Sequence, residues 1–429
     1  MNRSRSTLAL AVIMAGACHH DDPAVPEPTD PPDVYIPPGG HFCDLPGAVK
    51  KTEGGVVVVP GGSKDLAWLK LPVGFCAHDY GNVGNARQIR FAPGGELFVA
   101  SPTTTTTGGG QGGRQAIVLL PDDDHDGLAD AAISFLTGLP STQGMMFAND
   151  HFYYQDGTRI LRIPYAKGER APSGSSEVVA QVTAYSSPIH WPKTFDQADD
   201  GTIYATNGSD QEEVCDPSRQ FKGGILRIDG AAGGTPVAKG FRNPIGVRCE
   251  RGHNLCFAVE LSKDYSANEG GREKLVPIRQ GDDWGFPCCA TKGVPYVGLP
   301  TPDCSAVTSE SVSFLIGDTP FDVDFAPATW PAPYTGSAFV PLHGIVASWT
   351  GARLVAIEID PVTGLPKIAT DTPSGTSRDA MSDFATGWGD GTRAHGRPAN
   401  VAFAADGRLF LGNDNNGDII WIAPLDLPR

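Results

Sequence analysis

The chain has 429 residues, with 53 glycines, 37 prolines and a charged fraction of 19%. This composition favours many short strands and turns over a helical protein. The 33 basic and 49 acidic residues give a formal net charge of −16, and without a basic run or an interleaved aromatic platform the sequence argues against nucleic acid as a partner. No G-x-S-x-G elbow, P-loop or zincin motif supports a serine hydrolase, an NTPase or a metalloprotease.

The N-terminus has the form of an export signal. Basic residues in MNRSRS precede the apolar run TLALAVIMAGA, which is too short to span a bilayer, and small residues lead to Cys18. We therefore predict that residues 1–17 are a lipoprotein-type signal peptide and that Cys18 is lipidated, with ordinary signal cleavage nearby as the alternative. The protein is then expected in the periplasm or at the cell surface, anchored to the outer membrane only by that lipid.

Residues 18–42 are rich in proline and aspartate and cannot bury a core, which predicts a flexible tether. Of the nine cysteines, eight follow Cys18, and an even number in an exported chain predicts disulfides. Cys249 and Cys256 flank ERGHNL, so we predict a bridge across a hairpin there. A zinc site is the alternative, although no CxxC or paired histidine spacing supports it. The Pro/Cys-rich stretch 286–305 is expected to be an insertion pinned by disulfides.

One strand–turn–strand pattern recurs over the folded part of the chain. It is clearest at 396–421, where alternating apolar residues, the turn at Gly407 and the runs LFLG and DIIWI predict three antiparallel strands. Residues 43–429 are therefore predicted to form an all-β, six-bladed β-propeller, and the final run DIIWI is expected to close the ring by pairing with an early strand. The alternative, a β-sandwich with an appendage, does not account for six returns of the pattern, which lie at 89–100, 146–163, 194–208, 247–260, 335–344 and 396–421.

The segment DDDHDGLAD places aspartates at alternate positions before a glycine, with one more aspartate three residues later. This is the start of a calcium loop, in which carboxylate oxygens gather on one side and glycine allows the sharp turn. The twelfth position is Ile133 instead of glutamate, so a full EF-hand ligand set is missing. A structural calcium site is predicted, with a solvated acidic turn as the alternative, and its ligands would be Asp122, Asp124, Asp126 and Asp130.

Several polar residues stand where predicted strands begin or end, which in a propeller is close to the central channel. His190, in SPIHWPKTF, could act as a general base, although a lone histidine is more often structural. Arg242 and Asn243, in KGFRNPIGV, suit an anionic ligand that also carries carbonyls, although an exposed salt bridge is the simpler interpretation. Arg397, in AHGRPANV, repeats this arrangement in another blade, and His343, in VPLHG, ends a strand.

Taken together, these stretches resemble the soluble pyrroloquinoline quinone (PQQ)-dependent sugar dehydrogenases, especially the glucose/sorbosone dehydrogenase group. The resemblance implies a six-bladed propeller that oxidises an aldose sugar or a related alcohol or aldehyde with PQQ and calcium and passes electrons to an external acceptor. It covers about residues 71–421, and the matching phrases are LPVGFCAHDYGNVGNARQIRFAPGGELFVAS, HWPKTFDQADDGTIYATNGS, KGGILRIDG, GFRNPIGV, QGDDWGFP, VPLHG and GRPANVAFAADGRLFLGND.

Residue by residue, the resemblance implies that His190 is the general base that removes the hydroxyl proton while hydride passes to the quinone. Arg242 and Asn243 match the cofactor-binding Arg-Asn pair, and Arg397 matches the C-terminal arginine that meets a PQQ carboxylate. His343 falls where the glucose enzymes place a cofactor-contacting lysine and the sorbosone type has an HGSW-like phrase. In such a site the quinone carries the redox chemistry while the protein orients and polarises it.

Two departures from the family pattern concern substrate and metal. Ile189 stands where the glucose-type enzymes have an acidic residue that helps to hold the sugar. The stretch after Glu260 lacks the Gln-Gly-Pro-like phrase that ligates the active-site calcium, which leaves Glu260 as the candidate ligand. Both departures favour the alternative function, a catalytically inactive propeller that binds a glycan or a surface partner.

Overall fold

The computed structural model describes most of the chain from residue 39 onward. The predicted signal peptide, Cys18, Ile189 and all but the end of the predicted tether lie outside the described residues. Among the described residues, no helix is long and apolar enough to cross a bilayer. The described ranges are 39–62, 64–103, 112–182, 190–209, 215, 223–250, 252–264, 266–269, 271–296, 303–345, 348–371, 380–389 and 394–429.

Short strands separated by turns make up nearly all of the regular structure, as the composition predicts. Two short 3-10 helices occur at Phe42–Asp44 and Ser266–Glu269. In chain order the strands are β1 (Val49–Thr52), β2 (Gly55–Val58), β3 (Phe75–Asn82), β4 (Gln88–Phe91), β5 (Leu97–Ser101), β6 (Ala116–Leu120), β7 (Ile133–Thr137), β8 (Met145–Ala148), β9 (His151–Asp156), β10 (Arg159–Pro164), β11 (Glu177–Gln181), β12 (Phe195–Gln197), β13 (Ile203–Asn207), β14 (Gly224–Gly230), β15 (Gly233–Lys239), β16 (Asn243–Glu250), β17 (Leu255–Leu261), β18 (Glu273–Pro277), β19 (Cys289–Thr291), β20 (Val294–Pro295), β21 (Val312–Phe314), β22 (Asp324–Phe325), β23 (Ala338–Leu342), β24 (Arg353–Ile357), β25 (Ala369–Thr370), β26 (Met381–Ala385), β27 (Arg397–Phe403), β28 (Leu409–Asp414) and β29 (Asp418–Pro424).

Six sheets are arranged in a ring, so the predicted six-bladed β-propeller is confirmed. Each blade starts with its inner strand, and the inner strands β4, β8, β12, β16, β22 and β27 each contact the next one around the ring. The fourth blade gains β25, which pairs in parallel with β21 although it lies in the chain between two strands of the fifth blade. The blades are β4–β7, β8–β11, β12–β15, β16–β18 with β21 and β25, β22–β24 with β26, and β27–β29 with β3, β1 and β2.

The sixth blade is built from both ends of the folded chain. Strand β29 pairs antiparallel with β3, which confirms the predicted closure by DIIWI. Within this pairing, Trp421 lies opposite His78, and their rings stack with centroids 4.8 Å apart. Among the described strands, β29 lies between β28 and β3, so this pairing leaves neither edge of the last strand exposed.

Apolar side chains fill the spaces between neighbouring blades. Trp330, nearly fully buried, packs its ring against Phe339 and Phe403 and donates its indole N–H to the carbonyl of Gly407 at 2.7 Å. A buried tryptophan whose N–H is satisfied contributes its full apolar area without an unpaired polar group. This contact joins the fifth blade to the sixth, and burial of each such aromatic residue stabilises the fold by roughly 1.5–3 kcal/mol.

All eight cysteines after Cys18 are paired in disulfides. The predicted bridge between Cys249 and Cys256 is confirmed and spans the hairpin of β16 and β17. The zinc alternative is excluded for these cysteines, because a thiolate in a disulfide cannot ligate a metal. The insertion at 286–305 is pinned as predicted, and the remaining bridges are Cys43–Cys76, Cys215–Cys288 and Cys289–Cys304.

Candidate functional site

The starts of the inner strands gather at one end of the central channel, which we call the channel mouth. Because every blade begins with its inner strand, these strands run in the same direction around the ring. The residues at their starts therefore face a common space at the channel mouth. They are Arg87 before β4, Gln143 before β8, His190 before β12, Arg242 before β16, Phe321 before β22 and Arg397 at the start of β27.

His190 is almost fully buried and is tied to the fourth blade through one backbone segment. Its Nδ1 lies 2.8 Å from the carbonyl oxygen of Ser209, and the backbone N–H of Ser209 donates to the carbonyl of Arg242 at 2.7 Å. A carbonyl only accepts hydrogen bonds, so Nδ1 carries the hydrogen and the lone pair of the neutral ring is on Nε2. The structure thus brings His190 and Arg242 together and sets the tautomer that a general base at Nε2 needs.

Gly208 allows His190 and Asn243 to approach each other closely. A Cβ atom added to Gly208 would lie 2.3 Å from the Cβ of His190 and 3.2 Å from the Oδ1 of Asn243. Asn243 is buried, and its Oδ1 has no hydrogen-bond partner among the described residues. A buried amide oxygen in that state costs free energy unless a ligand or a water satisfies it.

The Arg242 side chain is buried, so it is not part of the fully exposed salt bridge that was the simpler interpretation of the sequence. The guanidinium donates to the carboxylate of Asp264 at 2.7 Å and to the carbonyl of Ser262 at 3.3 Å. Only the Asp264 end of this pair is exposed, with 60% of that side chain open to solvent against 7% for Arg242. A half-buried pair of this kind fixes the guanidinium at the channel mouth.

Glu260, the candidate calcium ligand, is already occupied by two donors. One of its carboxylate oxygens accepts the backbone N–H of Arg242 at 3.0 Å, and the other accepts the ammonium of Lys274 at 3.2 Å. The side chains of Glu260 and Lys274 are both almost fully buried. Burial lowers the pKa of Lys274, but the charge of Glu260 outweighs this effect and holds that pKa above its usual value. A divalent cation at Glu260 would meet the buried ammonium, so this carboxylate does not fit a calcium site.

Arg87 links several blades at the channel mouth and was missed at the sequence level. Its guanidinium donates to Asp414 at 2.9 Å, and its Cζ lies 4.7 Å from the ring centroid of Phe321 and 5.9 Å from that of Trp191. Trp191 directly follows His190, so these contacts connect the first, third, fifth and sixth blades. The available signal was positional, because Arg87 precedes the first inner strand as Arg242 precedes the fourth.

His343 and Arg397 are in direct contact at the channel mouth. The Nη2 and Nε of Arg397 donate to the carbonyls of Gly344 and His343 at 2.6 and 2.9 Å, and the His343 ring stacks on Phe321 with centroids 4.1 Å apart. The Nε2 of His343 lies 2.7 Å from Asp414. Burial and the charge of Arg397 lower the pKa of His343 to about 3, although Asp414 opposes them, so this ring is neutral near pH 7.

Counted over the described residues, the channel mouth carries one positive charge in excess, although the protein as a whole is acidic. Arg87, Arg242 and Arg397 lie there, against the carboxylates of Asp414 and Asp264. Burial alone raises the pKa of Asp414, but His343 and the arginines outweigh burial and hold this pKa far below its usual range. Asp414 is therefore ionised near pH 7. A narrow site with this balance of charges attracts an anion.

The predicted calcium loop lies away from the channel, between β6 and β7 of the first blade. Ligand oxygens of Asp122, Asp124 and Asp126 lie within 4.8 Å of one another. Asp130 does not join them, since its carboxylate accepts the backbone N–H of Asp123 at 2.5 Å. Burial raises the pKa of Asp122 to about 6, although the charge of Arg408 opposes this rise. The positive charge near this carboxylate is therefore too small to offset its burial.

Ion pairs join the inner strands towards the far end of the channel, where these strands finish. Arg90 binds Asp322 at 3.0 Å, and Arg248 binds Asp324 at 2.9 Å. A cavity of about 340 Å³ there is lined in part by Arg90, Arg248 and Met146. None of the predicted site residues lines this cavity, so the chemistry suggested by His190 and the arginines belongs to the channel mouth.

Comparison with solved structures gives the fold a known counterpart. The calcium structure of a Trichoderma reesei protein of carbohydrate-active enzyme family AA12 superposes with a TM-score of 0.65 at 17% identity, covering 83% of this chain and 97% of that chain. The PQQ-bound form of an aldose sugar dehydrogenase from Streptomyces coelicolor has a TM-score of 0.56 at 18% identity, covering 82% and 99%. The apo-form of the soluble aldose sugar dehydrogenase from Escherichia coli has a TM-score of 0.57 at 12% identity, covering 82% and 99%.

The chain has the fold of the soluble aldose sugar dehydrogenases. The resemblance predicted from the sequence is confirmed at this level. A sequence family described as a domain of unknown function, DUF7133, matches residues 76–265, which include His190, Arg242 and Asn243. No curated protein matches the chain.

Proposed function

We propose that the protein is a PQQ-dependent oxidoreductase that oxidises an aldose sugar or a related alcohol or aldehyde and delivers the electrons to an external acceptor. The observation that carries this proposal is the convergence of His190 with Arg87, Arg242 and Arg397 at one end of the channel. The fold shared with the sugar dehydrogenases from S. coelicolor and E. coli supports it. A fold alone does not fix a reaction, so the proposal rests on these side chains.

The residues at the channel mouth fit an anionic quinone. PQQ is an ortho-quinone that bears carboxylates, and arginine forks are the side chains best suited to such groups. Arg242 and Arg397 would hold the carboxylates, and the Oδ1 of Asn243, which has no partner among the described residues, would face a donor of the ligand or a bound water. When bound, PQQ supplies the two-electron acceptor for the substrate.

His190 would act as the general base of the reaction. Its Nδ1–H is held by the Ser209 carbonyl, so the lone pair on Nε2 can accept the proton of a substrate hydroxyl. Gly208 sets the separation of this ring from Asn243, which places base and cofactor ligand side by side. His343 is kept neutral and hydrogen-bonded to Asp414, so in this proposal it orients Arg87 and Arg397 through Asp414 and its own backbone carbonyl.

Calcium is proposed at the acidic loop of the first blade, as a structural ion. Asp122, Asp124 and Asp126 converge there, whereas Glu260 at the channel mouth is bound to Lys274. This assignment predicts that the loop ion affects stability more than it affects cofactor affinity. Export through a lipoprotein signal is likewise proposed, and the four disulfides support an oxidising location.

The proposal is tested with purified protein by titration with PQQ, followed by assay of an aldose panel with an artificial electron acceptor. His190→Asn keeps an amide N–H for the Ser209 carbonyl but removes the basic lone pair. We expect this variant to bind PQQ like the wild type and to lose turnover by roughly 10²- to 10⁴-fold. His151→Asn is the matched control, because His151 also contacts a backbone carbonyl, that of Asn149 at 2.7 Å, but lies outside the channel mouth.

Two experimental outcomes would contradict the proposed PQQ-dependent oxidation. A folded wild type without saturable PQQ binding would refute the proposal. The alternative is a propeller that retains the fold, binds a glycan or a surface partner and catalyses nothing, and the occupation of Glu260 by Lys274 favours it. Glycan binding without PQQ-dependent oxidation of any aldose, alcohol or aldehyde would establish that alternative.

A further inference from the structure

A buried lysine follows His190 in the chain and has no role in the proposed reaction. Lys193 stands three residues after His190, just before β12, and its side chain is fully buried. Within the described part of the chain its ammonium makes one hydrogen bond, a long one of 3.5 Å from Nζ to the backbone carbonyl of His190. Among the described residues no carboxylate lies within ion-pair distance of it. A lysine buried without a carboxylate is rare, because the charged form loses its hydration without compensation.

Asn207 lies opposite Lys193 on the neighbouring strand. Phe195 pairs with Ala205 in the β12–β13 ladder, and the bond from the N–H of Thr206 to the carbonyl of Thr194 at 2.9 Å extends the ladder by one step. Continuing this register places Lys193 across from Asn207 on the same face of the blade. Asn207 is fully buried, and neither its Oδ1 nor its Nδ2 has a hydrogen-bond partner among the described residues.

The second blade packs against the backbone of Lys193. A Cβ atom added to Gly144 would lie 2.0 Å from the carbonyl oxygen of Lys193, so the two backbones are in direct contact. Two residues before Gly144, the buried hydroxyl of Thr142 also lacks a partner among the described residues. Buried polar groups without partners, as at Asn207 and Thr142, indicate a missing ligand group or ordered water.

We infer that Lys193 and Asn207 form a recess for an anionic oxygen, and that it takes a carboxylate or carbonyl oxygen of the ligand held at the channel mouth. An ammonium and an amide N–H both donate, and together they complement a carboxylate but repel a cation. The recess adjoins the known part of the site, because Gly208, the residue after Asn207, contacts both His190 and Asn243. This inference rests on the proposed binding of PQQ, whose carboxylates are the anions in question.

The test measures the dissociation constant of PQQ for the unliganded protein by fluorescence titration. Lys193→Met keeps the length of the side chain and removes the charge, so we expect binding to weaken by roughly 10- to 100-fold. Lys193→Arg retains a cationic donor and is expected to bind within about threefold of the wild type. Lys167→Met, which changes an exposed lysine, is the matched control and should leave the constant unchanged.

Asn207→Asp provides a second, nearly isosteric test. The new carboxylate would pair with Lys193 and repel an anionic ligand, so PQQ should bind at least as weakly as it does to Lys193→Met. If the wild type binds PQQ while both variants bind within twofold of it, the recess holds only water, and this inference fails while the proposed function stands. If the folded wild type does not bind PQQ, the proposed function and this inference fail together. Circular dichroism of each variant separates weak binding from a failure to fold.

Discussion

Replacing Lys193 should stabilise the unliganded protein in a way that depends on pH. Burial lowers the pKa of Lys193 to about 7, against 10.5 for an ordinary lysine. With its pKa lowered to about 7, the charged lysine costs the folded state on the order of 5 kcal/mol of stability when both states are protonated. Lys193→Met removes this loss, at the cost of one long hydrogen bond to the His190 carbonyl.

The direction of the pH dependence follows from proton binding. Below pH 7 the folded and unfolded chains both hold the proton, and the loss of stability is complete. Between pH 7 and pH 10.5 the unfolded chain binds more protons than the folded chain, so wild-type stability rises with pH. Above pH 10.5 neither state is charged and the loss disappears. The advantage of Lys193→Met should therefore be largest at pH 6, about 5 kcal/mol, and about 1 kcal/mol at pH 9.5.

The assay is urea denaturation at pH 6 and pH 9.5, followed by circular dichroism and intrinsic fluorescence. Lys167→Met is again the control, since an exposed lysine should give no pH-dependent difference from the wild type. A Lys193→Met protein that is less stable than the wild type at both pH values would refute the reasoning. It would mean that Lys193 has a compensating partner in the folded chain and that the recess carries no excess charge.

Three further predictions concern the rest of the site and the acidic loop. Gly208→Ala should displace His190 and lower PQQ-dependent turnover at least 10-fold while the circular dichroism spectrum stays unchanged, because its Cβ would lie 2.3 Å from that of His190; full activity would show that the ring can move freely. Asp414→Asn should lower the free energy of unfolding at pH 7 by about 3–5 kcal/mol, since it leaves buried Arg87 without its carboxylate; because the pKa of Asp414 is depressed, the difference should shrink as the pH falls below 4. Calcium should raise the thermal midpoint at pH 7.5 and less so at pH 5, where Asp122, with its pKa of about 6, is protonated; Asp124→Asn should abolish the shift, and an equal shift in that variant would place the ion elsewhere.

The fold could be predicted because its signals are local. Alternating apolar residues and turn glycines such as Gly407 mark each strand pair, and Cys249 and Cys256 are seven residues apart. The positions of His190, Arg242 and Arg397 at strand starts were also readable, since a strand start is a local property. The addition of β25 to the fourth blade was not predicted, because β25 leaves its neighbours in the chain to pair with β21, and no short-range pattern encodes that contact.

The missing parts of the site depend on contacts between distant segments. Arg87 and Asp414 are 327 residues apart, and only the closed ring brings them together. The proposed Lys193–Asn207 recess could not be predicted for another reason. Lysine and asparagine before a strand or a turn usually face solvent, and here they are buried by packing between blades. The pairing of Lys274 with Glu260 could not be predicted either. It depends on the register of the adjacent strands β17 and β18, which the sequence does not specify.

The sixth blade joins both ends of the folded chain, so it is expected to form late in folding. The contact between Asn82 and Asp418 spans 336 residues, so it can form only after synthesis of the chain is almost finished. Folding through such distant contacts is slow, because the loop must close before the contact is gained. Arg397 and Asp414 belong to this last blade, and Arg87 depends on Asp414. A chain truncated before Arg397 would therefore retain His190 and Arg242 but lack Arg397 and Asp414, and under the proposed function it should bind PQQ more weakly than the full chain.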